Sequence, residues 1–210
     1  AQLKLGPDYL KDLDFEVIFR TPGMRPDLPE LVEALQRGAI LTSEMEVFFQ
    51  VCPCKTIAVT GSDGKTTTTT IIAELLKAAG QTVYVGGNIG KPLLPDVDGM
   101  EPGDVAVLEL SSFQLMTMRQ SPNIAVVTNL APNHLDVHKS MEEYVDAKRN
   151  IFLYQNPDGL LVLNQDNEIT RGFAPEAPGH VTLFSRRQEL EKGVFLKDGV
   201  IWVRNAMHER

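Results

Sequence analysis

Residues 56–80 read TIAVTGSDGKTTTTTIIAELLKAAG, so that an apolar strand, a glycine-containing loop and a helix follow one another directly. A phosphate site needs backbone N–H groups that converge on the anion, a helix N-terminus behind them and a lysine for charge. The loop at 61–64, Lys65 and the helix supply these parts in that order. The stretch therefore predicts a phosphate-binding loop within an α/β fold.

The loop departs from the common P-loop pattern of Gly, four residues and Gly-Lys-Ser/Thr. Val59 occupies the position of the first glycine, which comes two residues later, at Gly61. We interpret this as a shorter loop, in which Thr66 follows Lys65 where a hydroxyl would bind Mg²⁺. The alternative is a glycine-containing turn with an exposed lysine, which leaves the flanking strand and helix unexplained.

Strands and helices alternate from residue 56 to residue 154, which predicts a doubly wound, mainly parallel sheet of the P-loop NTPase type. The first helix of this region has apolar residues at helical spacing and should bury one face: Ile71, Ile72, Leu75, Leu76 and Ala79. Short strands at 160–163, 181–184, 193–196 and 200–203 predict a small additional antiparallel sheet. Residues 15–41 read as strand, helix and strand, part of a Rossmann-like α/β domain. We place the domain boundary near residue 52, giving domains 1–52 and 53–210.

Composition excludes several classes of function. The 210 residues carry a formal net charge of -8, which disfavours broad binding to nucleic acid or anionic membranes, and the sequence has no transmembrane run. The two cysteines form a Cys52-Pro53-Cys54 segment without the spacing of a redox or zinc motif, so we expect reduced thiols in a cytoplasmic protein. The chain begins without Met, and we expect it to be a piece of a longer protein.

Polar side chains follow several of the predicted parallel strands, at the sheet edge where ligands bind in open α/β folds. Asn88 lies in a glycine-rich turn, Glu109 ends an apolar strand, and His134 and Asp136 follow another strand. A carboxylate at the end of a buried strand is costly unless it is paired or binds a metal. Mg²⁺ beside a triphosphate is the natural partner of Glu109, and His134 at the same edge is a candidate ligand.

Three other positions have alternative interpretations. The Ser111 hydroxyl would either contact substrate or act as a helix N-cap. The Phe113 ring would either contact substrate or pack in the core, and the residues alone do not decide between these alternatives. Lys148 reads by default as a solvated helix lysine, and His138 has no assigned role. Met141 to Tyr154 is predicted as a helix with Ser140 as its N-cap.

Together these residues resemble the Mur ligases, the ATP-dependent amino-acid-adding enzymes of peptidoglycan synthesis. The loop TGSDGKTT is similar to the family signature TG-x-x-GKT/ST, whose first glycine stands where Gly61 does. Residues 109–115, ELSSFQL, resemble the segment of the D-glutamate-adding member, and GGNIG at 86–90 and His134-x-Asp136 also match. Thr21-Pro22-Gly23 is similar to a Ser-Pro-Gly substrate loop. The resemblance covers essentially the whole chain.

The resemblance implies a set of site residues. It assigns ATP phosphate binding to Gly61, Ser62, Asp63, Gly64, Lys65, Thr66, Thr67 and Thr68. It assigns substrate contacts to Thr21, Pro22, Gly23, Asn88, Ser111 and Phe113. It assigns metal binding at two Mg²⁺ sites to Thr66, Glu109, His134 and Lys148, with Lys148 carbamylated. The catalytic set is Lys65, Glu109, His134 and Lys148.

The function implied by the resemblance is ATP-dependent addition of D-glutamate to UDP-N-acetylmuramoyl-L-alanine through an acyl phosphate. Residues 1–52 would be part of a UDP-substrate domain and 53–210 the central ATP domain, incomplete at its end. A piece of this kind is expected to be inactive alone, in a monomeric cytoplasmic enzyme. Alternatives are another Mur ligase, a folylpolyglutamate synthase-like ligase, or a nucleotide-binding fragment without activity.

Overall fold

The computed structural model describes residues 3–131 and 138–205 of the chain. The first part contains β1 (Val17–Phe19), α1 (Pro29–Gln36), β2 (Ile40–Thr42) and α2 (Glu44–Val51). β1 and β2 pair in parallel as a two-stranded sheet, with Val17 opposite Ile40. This is the strand–helix–strand unit predicted from the sequence. Ser43 caps α2 by accepting the backbone N–H of Glu46.

The second part forms one large sheet. Its elements are β3 (Lys55–Thr60), α3 (Lys65–Ala78), β4 (Val83–Gly87), β5 (Val105–Glu109), α4 (Ser112–Leu115), β6 (Ile124–Val127), α5 (Met141–Arg149), β7 (Leu160–Asn164), α6 (Glu168–Arg171), β8 (His180–Ser185), β9 (Gly193–Lys197) and β10 (Val200–Arg204). Within the described residues the eight strands follow the order β10-β9-β8-β7-β6-β3-β5-β4. All neighbouring strands from β3 to β9 pair in parallel, whereas β9 and β10 form an antiparallel hairpin around the turn at Asp198 and Gly199. The predicted α/β class with a mainly parallel sheet is confirmed.

The prediction of a separate antiparallel sheet after residue 158 is wrong. β7, β8 and β9 extend the main sheet in parallel, and the small second sheet is the parallel pair of β1 and β2. The reason lies in the connections. α6 and a 3₁₀ helix at Ala174–Glu176 cross over between β7 and β8, and a crossover of this length returns the chain in the same direction. The tight 198–199 turn reverses the chain and leaves β10 antiparallel.

The central strands of the sheet are covered on both faces. Ala58, Val59, Val107 and Leu108 have no exposed surface, as expected for near-continuous apolar strands in a parallel sheet. The larger core cluster packs these strands against α2, α4 and α5, while a smaller cluster around Ile57 packs beneath α3. No helix in the described ranges has the length and apolarity needed to cross a bilayer.

The face that α3 buries differs from the prediction. Ile71 and Leu75 are 54% and 66% exposed, and Ala79 is exposed as well. The contact stripe runs instead through Thr69, Ile72, Ala73 and Leu76, at the i, i+3, i+4 and i+7 positions. Thr69 is fully buried, so the helix is rotated such that Thr69 rather than Ile71 meets the sheet.

α5 ends at Arg149, five residues earlier than predicted for Tyr154, and irregular turns follow it. Its start is as predicted, because the Ser140 hydroxyl accepts the backbone N–H of Glu143. Element ends of this kind are set by the packing of the next segment as much as by the helix itself. The last turn of α5 lies close to the end of β3, because Lys148 donates to the Thr60 hydroxyl, and both contribute to the site described next.

Candidate nucleotide and metal site

The loop between β3 and α3 requires glycine at two positions. Gly61 has φ +150°, and a Cβ there would lie 1.9 Å from Thr128 Oγ1, so no side chain fits without rearrangement. Gly64 has φ +78° in the left-handed region and is the N-cap of α3, with open space around its Cα. The late first glycine of the sequence is therefore explained by the close approach of the chain after β6.

That neighbouring segment holds the loop with several hydrogen bonds. The Asn129 carbonyl accepts the N–H of Ser62 at 2.9 Å, and its side-chain Oδ1 accepts the N–H of Asp63 at 3.0 Å. Asn129 Nδ2 and Thr128 Oγ1 donate to the Asp63 carbonyl at 3.1 and 2.7 Å. The Ser62 hydroxyl is buried and bonded to the backbone of Ala131. Ser62 and Asp63 thus fix the loop through these bonds.

The N-terminal turn of α3 presents the groups suited to an anion. The first N–H groups of a helix have no intrahelical partner, and α3 has no side-chain cap. Lys65 Nζ lies over the loop and donates to the carbonyls of Gly61 and Ser62 at 3.0 and 2.9 Å. Thr66 and Thr67 are exposed in the same turn. Positive charge, backbone donors and hydroxyls therefore meet at one point.

Glu109, at the end of β5, joins three segments. Its Oε2 accepts the Thr66 hydroxyl at 2.6 Å and its Oε1 accepts Asn88 Nδ2 at 2.8 Å, and the residue is 2% exposed. The Asn88 N–H also donates to the Glu109 carbonyl at 2.7 Å. A Cβ on Gly87 would lie 2.2 Å from that carbonyl oxygen, which explains the glycine before Asn88. The predicted convergence of Thr66, Asn88 and Glu109 is observed.

These side chains fit a Mg²⁺ ion in donor chemistry. A carboxylate and a hydroxyl are the hard oxygen ligands that Mg²⁺ takes, and the ion completes its shell with water and phosphate oxygens. The described residues contain no group of three His, Cys, Asp or Glu side chains able to hold a metal, so the fit rests on Thr66 and Glu109. His134 and Asp136, predicted at the same edge, lie outside the described residues.

Lys148 is buried, and its default interpretation as a solvated helix lysine is wrong. It is 2% exposed, and its Nζ donates to Thr60 Oγ1 at 2.9 Å and to the Gly61 carbonyl at 3.1 Å. The Nζ also lies 4.9 Å from the centre of the Tyr144 ring. The pKa of Lys148 is lowered to about 7, first by burial and then by the charge of Lys65, while the charge of Glu109 opposes the shift.

The two alternatives for Ser111 and Phe113 resolve differently. Ser111 is the N-cap of α4, in a capping box with Gln114, so its hydroxyl is engaged in the helix start. The Phe113 ring is half-buried and stacks on the His138 ring, with the centroids 5.1 Å apart and the planes at 7°. The N-cap interpretation of Ser111 is confirmed, and Phe113 packs on a histidine.

A groove of about 490 Å³ connects the first part of the chain with this site. Thr21 and Pro22 line one side, and Asn88, within the 87–90 turn, and Gln114 line the other. The structure therefore brings three of the predicted substrate residues together, Thr21, Pro22 and Asn88. Gly23, Ser111 and Phe113 are not among the lining residues. Because Asn88 also contacts Glu109, the groove opens beside the candidate metal ligands.

A model of the Mur ligase middle domain matches residues 59–199, which is more than half of the chain. The chain belongs to the Mur ligase family. Curated relatives named UDP-N-acetylmuramoylalanine–D-glutamate ligase, from Acetivibrio thermocellus and Ruminiclostridium cellulolyticum, are each 59% identical to it over 206 and 205 residues. The matches cover 98% and 97% of this chain but 44% of each relative, so the chain spans less than half the length of these curated relatives.

Solved Mur ligase structures have the same fold. The match to a UDP-N-acetylmuramoyl-L-alanyl-D-glutamate–2,6-diaminopimelate ligase covers 80% of this chain and 45% of the ligase chain, with a TM-score of 0.59 and 24% identity. The match to a UDP-N-acetylmuramate:L-alanyl-gamma-D-glutamyl-meso-diaminopimelate ligase from Neisseria meningitides covers 89% of this chain and 66% of the ligase chain. Its TM-score is 0.59 and the identity is 18%. At this identity the likeness supports the fold of the Mur ligase chain and nothing finer.

Sequence reasoning missed two groups of residues in this Mur ligase chain. Thr128 and Asn129, which hold the phosphate loop, directly follow β6, and no motif in the sequence marks them as loop contacts. The burial of Lys148, by contrast, could be predicted from the sequence. Tyr144, Ala147 and Ile151 are buried with it at helical spacing, so the lysine lies on the apolar face of α5. The loop contacts gave no comparable periodic signal.

Ser112, His138 and Glu143 form a second missed group, with the order of a Ser–His–acid triad. Ser112 Oγ is 2.8 Å from His138 Nε2, and His138 Nδ1 is 3.5 Å from Glu143 Oε2. Ser112 and His138 are both 2% exposed, so no substrate reaches the hydroxyl, and 3.5 Å is long for a hydrogen bond. Burial lowers the pKa of His138, which favours its neutral form. The trio connects α4 with α5 and is not a hydrolase site.

Proposed function

We propose that the protein carrying this chain is an ATP-dependent ligase that adds D-glutamate to UDP-N-acetylmuramoyl-L-alanine. The observation that carries the proposal is the convergence of a phosphate loop, the Thr66–Glu109 pair and buried Lys148 at one end of the sheet. The names of the 59%-identical relatives support the choice of D-glutamate and of the nucleotide-sugar. We further propose residues 53–210 as part of the ATP domain and 1–52 as part of the substrate domain.

ATP phosphates would bind at the N-terminus of α3. We propose contacts from the loop and the first helical turn: Gly61, Ser62, Asp63, Gly64, Lys65, Thr66, Thr67 and Thr68. Lys65 Nζ, which rests on two loop carbonyls, lies within reach of an anion at the same point and would donate to the β- and γ-phosphates. The N–H groups of Ser62 and Asp63 are bonded to Asn129, so the N–H groups of the first helical turn supply most backbone contacts.

We propose that Thr66 and Glu109 hold one Mg²⁺ and that His134 and modified Lys148 hold a second. Bound Mg²⁺ would neutralise the phosphate charge as it develops during transfer. Asn88 fixes the free Glu109 oxygen and so orients the carboxylate toward Thr66. The repulsion among a triphosphate, a substrate carboxylate and Glu109 makes such neutralisation a requirement of the site.

Carbamylation of Lys148 is supported by its environment. A pKa of about 7 leaves a large fraction of the amine neutral near pH 7, which an ordinary lysine does not achieve. The neutral amine adds to CO₂, its nitrogen forms the new C–N bond, and a proton is released to solvent. The product carries a negative charge where the amine was positive, which suits a metal-binding role.

The proposed reaction has two steps. The carboxylate of UDP-N-acetylmuramoyl-L-alanine, bound through the groove at Thr21, Pro22 and Asn88, attacks the γ-phosphorus, and ADP leaves. The amine of D-glutamate then attacks the acyl carbon, phosphate leaves, and the amine nitrogen loses a proton. Lys65 and the N-terminal turn of α3 hold the phosphates in place throughout. We propose that the enzyme acts in the cytoplasm as a monomer, with no nucleic-acid or membrane partner.

The test is phosphate release by the full-length protein that contains this chain, with ATP, Mg²⁺ and the nucleotide-sugar. We expect release with D-glutamate and little with L-glutamate, diaminopimelate or D-alanyl-D-alanine. Release that follows another of these amino acids would identify a different Mur ligase. ATP binding without release under any of them would identify a nucleotide-binding protein and contradict the proposal.

A further inference from the structure

Arg20 lies directly after β1 and is 4% exposed. Its backbone N–H donates to the Thr42 carbonyl at 2.8 Å, which continues the pairing of β1 with β2 and fixes the backbone position of Arg20. Nη1 then donates to the carbonyls of Thr21, Pro22 and Met24 at 3.3, 3.0 and 2.7 Å. One guanidinium nitrogen thus gathers the carbonyls of the turn at 21–24.

The other terminal nitrogen of Arg20 binds the second part of the chain. Nη2 donates to the Phe113 carbonyl at 3.2 Å and to Thr117 Oγ1 at 2.8 Å. Phe113 belongs to α4, which starts three residues after the candidate metal ligand Glu109. The planar guanidinium therefore connects the turn to the helix that follows the β5 end, across more than 90 residues of sequence.

We propose that Arg20 is a positioning residue that sets the Thr21–Met24 turn against α4 and thereby shapes the groove for the nucleotide-sugar. The identity of that substrate rests on the function proposed above. Thr21 and Pro22 form one wall of the groove, Asn88 and Gln114 form the other, and Arg20 joins the two. Since one guanidinium bonds both the turn and α4, a change at Arg20 alters the fit of the substrate.

The chemistry requires arginine here. Arginine offers five donors in a rigid plane, whereas a lysine ammonium is a single point with three rotatable donors and cannot reach both walls with the same geometry. Arg20 Nε is buried without a hydrogen-bond partner among the described residues. A residue kept only for stability would not be expected to leave a buried donor unpaired, because such a group is destabilising. The unpaired Nε is consistent with selection for the positions of Nη1 and Nη2.

A group of surface ion pairs also connects the segment after the turn with α5. Arg25 pairs with Asp27 and with Glu143 on α5, and Lys139 pairs with Asp27. These side chains are 21% to 68% exposed, so salt screens the pairs. Arg20, in contrast, is shielded from solvent. The geometry of the groove therefore depends on Arg20 at any ionic strength.

The experiment measures kinetics of the full-length protein with three variants. Arg20→Lys keeps the positive charge but loses the paired Nη1 and Nη2 donors. Thr117→Val removes one acceptor on the α4 side, and Arg119→Met is the matched control. Arg119 lies on the same segment, but it contacts the Met118 carbonyl and the Tyr154 ring instead of the turn. We expect KM for the nucleotide-sugar to rise about tenfold in Arg20→Lys and about threefold in Thr117→Val. KM for ATP should stay within about twofold of wild type in all three.

A KM for the nucleotide-sugar that is unchanged in Arg20→Lys overturns the inference. So does a parallel rise of both KM values with a lowered melting temperature, since that indicates a general loss of structure. Wild-type protein without D-glutamate-dependent phosphate release would instead contradict the proposed function. In that case hydrogen exchange of the Met24 amide, which donates to the Thr21 carbonyl, still tests Arg20 in this chain. Faster exchange in Arg20→Lys than in Arg119→Met is expected, and equal exchange overturns the role of Arg20.

Discussion

The phosphate loop and the Thr21–Met24 turn, the two segments proposed to bind ligands, are held by the fold in different ways. The loop is enclosed by the chain after β6, with Asn129 and Thr128 bonded to it and a glycine where a side chain would collide. The turn depends on one arginine and a set of partly exposed ion pairs. The proposed nucleotide site is therefore built into the sheet, whereas the proposed substrate site depends on a few long-range side-chain contacts. Substitutions should therefore affect the two sites by different mechanisms.

The largest effect should come from Gly61→Ala, because its Cβ would overlap Thr128 Oγ1. We expect a loss of about 3 kcal/mol or more in the free energy of unfolding, together with loss of ATP binding. Gly64→Ala is the control, since Gly64 has open space around it and carries only the left-handed backbone cost of about 1 kcal/mol. Urea unfolding of both variants measures this. Equal losses would mean that the contact with Thr128 does not enclose the loop.

Lys148→Met should change the pH dependence of stability by a few kcal/mol. The folded-state pKa of about 7 lies below the ordinary value of 10.5, so the unfolded state binds more protons between these pH values. The contribution of Lys148 to stability therefore rises with pH from about 7 to about 10.5 and is lowest below pH 7. Unfolding of wild type and variant in CO₂-free buffer across this range gives the difference. A difference that stays constant with pH would show that Lys148 is protonated as in an ordinary lysine.

Lys65→Ala should weaken ATP binding about 100-fold, because a charged donor to the phosphates is lost. Titration of ATP followed by calorimetry measures the affinity. Lys77→Ala, which removes an exposed lysine at the other end of α3, is the control for the change in net charge. Unchanged affinity in Lys65→Ala would remove this lysine from the phosphate site. The turn at 21–24 should be unaffected in either variant.

The smallest effect should come from Glu143→Gln, at the surface pairs that join the two parts. Arg25, and then the Lys139 N–H, hold the pKa of Glu143 at about 2, below its ordinary 4.5. Its stabilisation is present above pH 4.5 and is lost as the pH falls toward 2. We expect the variant to be less stable by about 1 kcal/mol at neutral pH and low salt, with the difference vanishing near pH 2 and in 1 M salt. Acid unfolding at two salt concentrations tests it. A difference that persists in high salt would place the pair among buried interactions.

The sequence predicted the parts of the site that follow directly from a parallel sheet. Lys65 and Asn88 follow strands and Glu109 ends one, and the carboxyl ends of parallel strands lie at one edge, so their meeting could be expected. The rotation of a helix about its axis is harder to predict. Thr69 rather than Ile71 faces the sheet, and the buried face of α5 includes Lys148. In α3 the packed surface of the sheet decides the rotation, and hydrophobicity alone favours another face. In α5 the spacing of Tyr144 and Ala147 does indicate the buried face, and Lys148 lies on it.

Contacts between loops could not be predicted, because no spacing in the sequence encodes them. Asn129 reaches Asp63 across 66 residues, and Arg20 reaches Thr117 across 97. The extension of the sheet by β7 to β9 was missed for a related reason. Short strands read alike whether a hairpin or a crossover joins them, and the brief helices at 168–176 give a weak signal.

We propose above that this chain builds an ATP site whose Mg²⁺ is held by Thr66 and Glu109. The most direct measurement is the affinity of the chain for ATP with and without Mg²⁺, in wild type and in Glu109→Gln. We predict that Mg²⁺ strengthens ATP binding in wild type and that Glu109→Gln abolishes this gain while leaving binding without Mg²⁺ unchanged. The same gain from Mg²⁺ in both proteins would contradict the account.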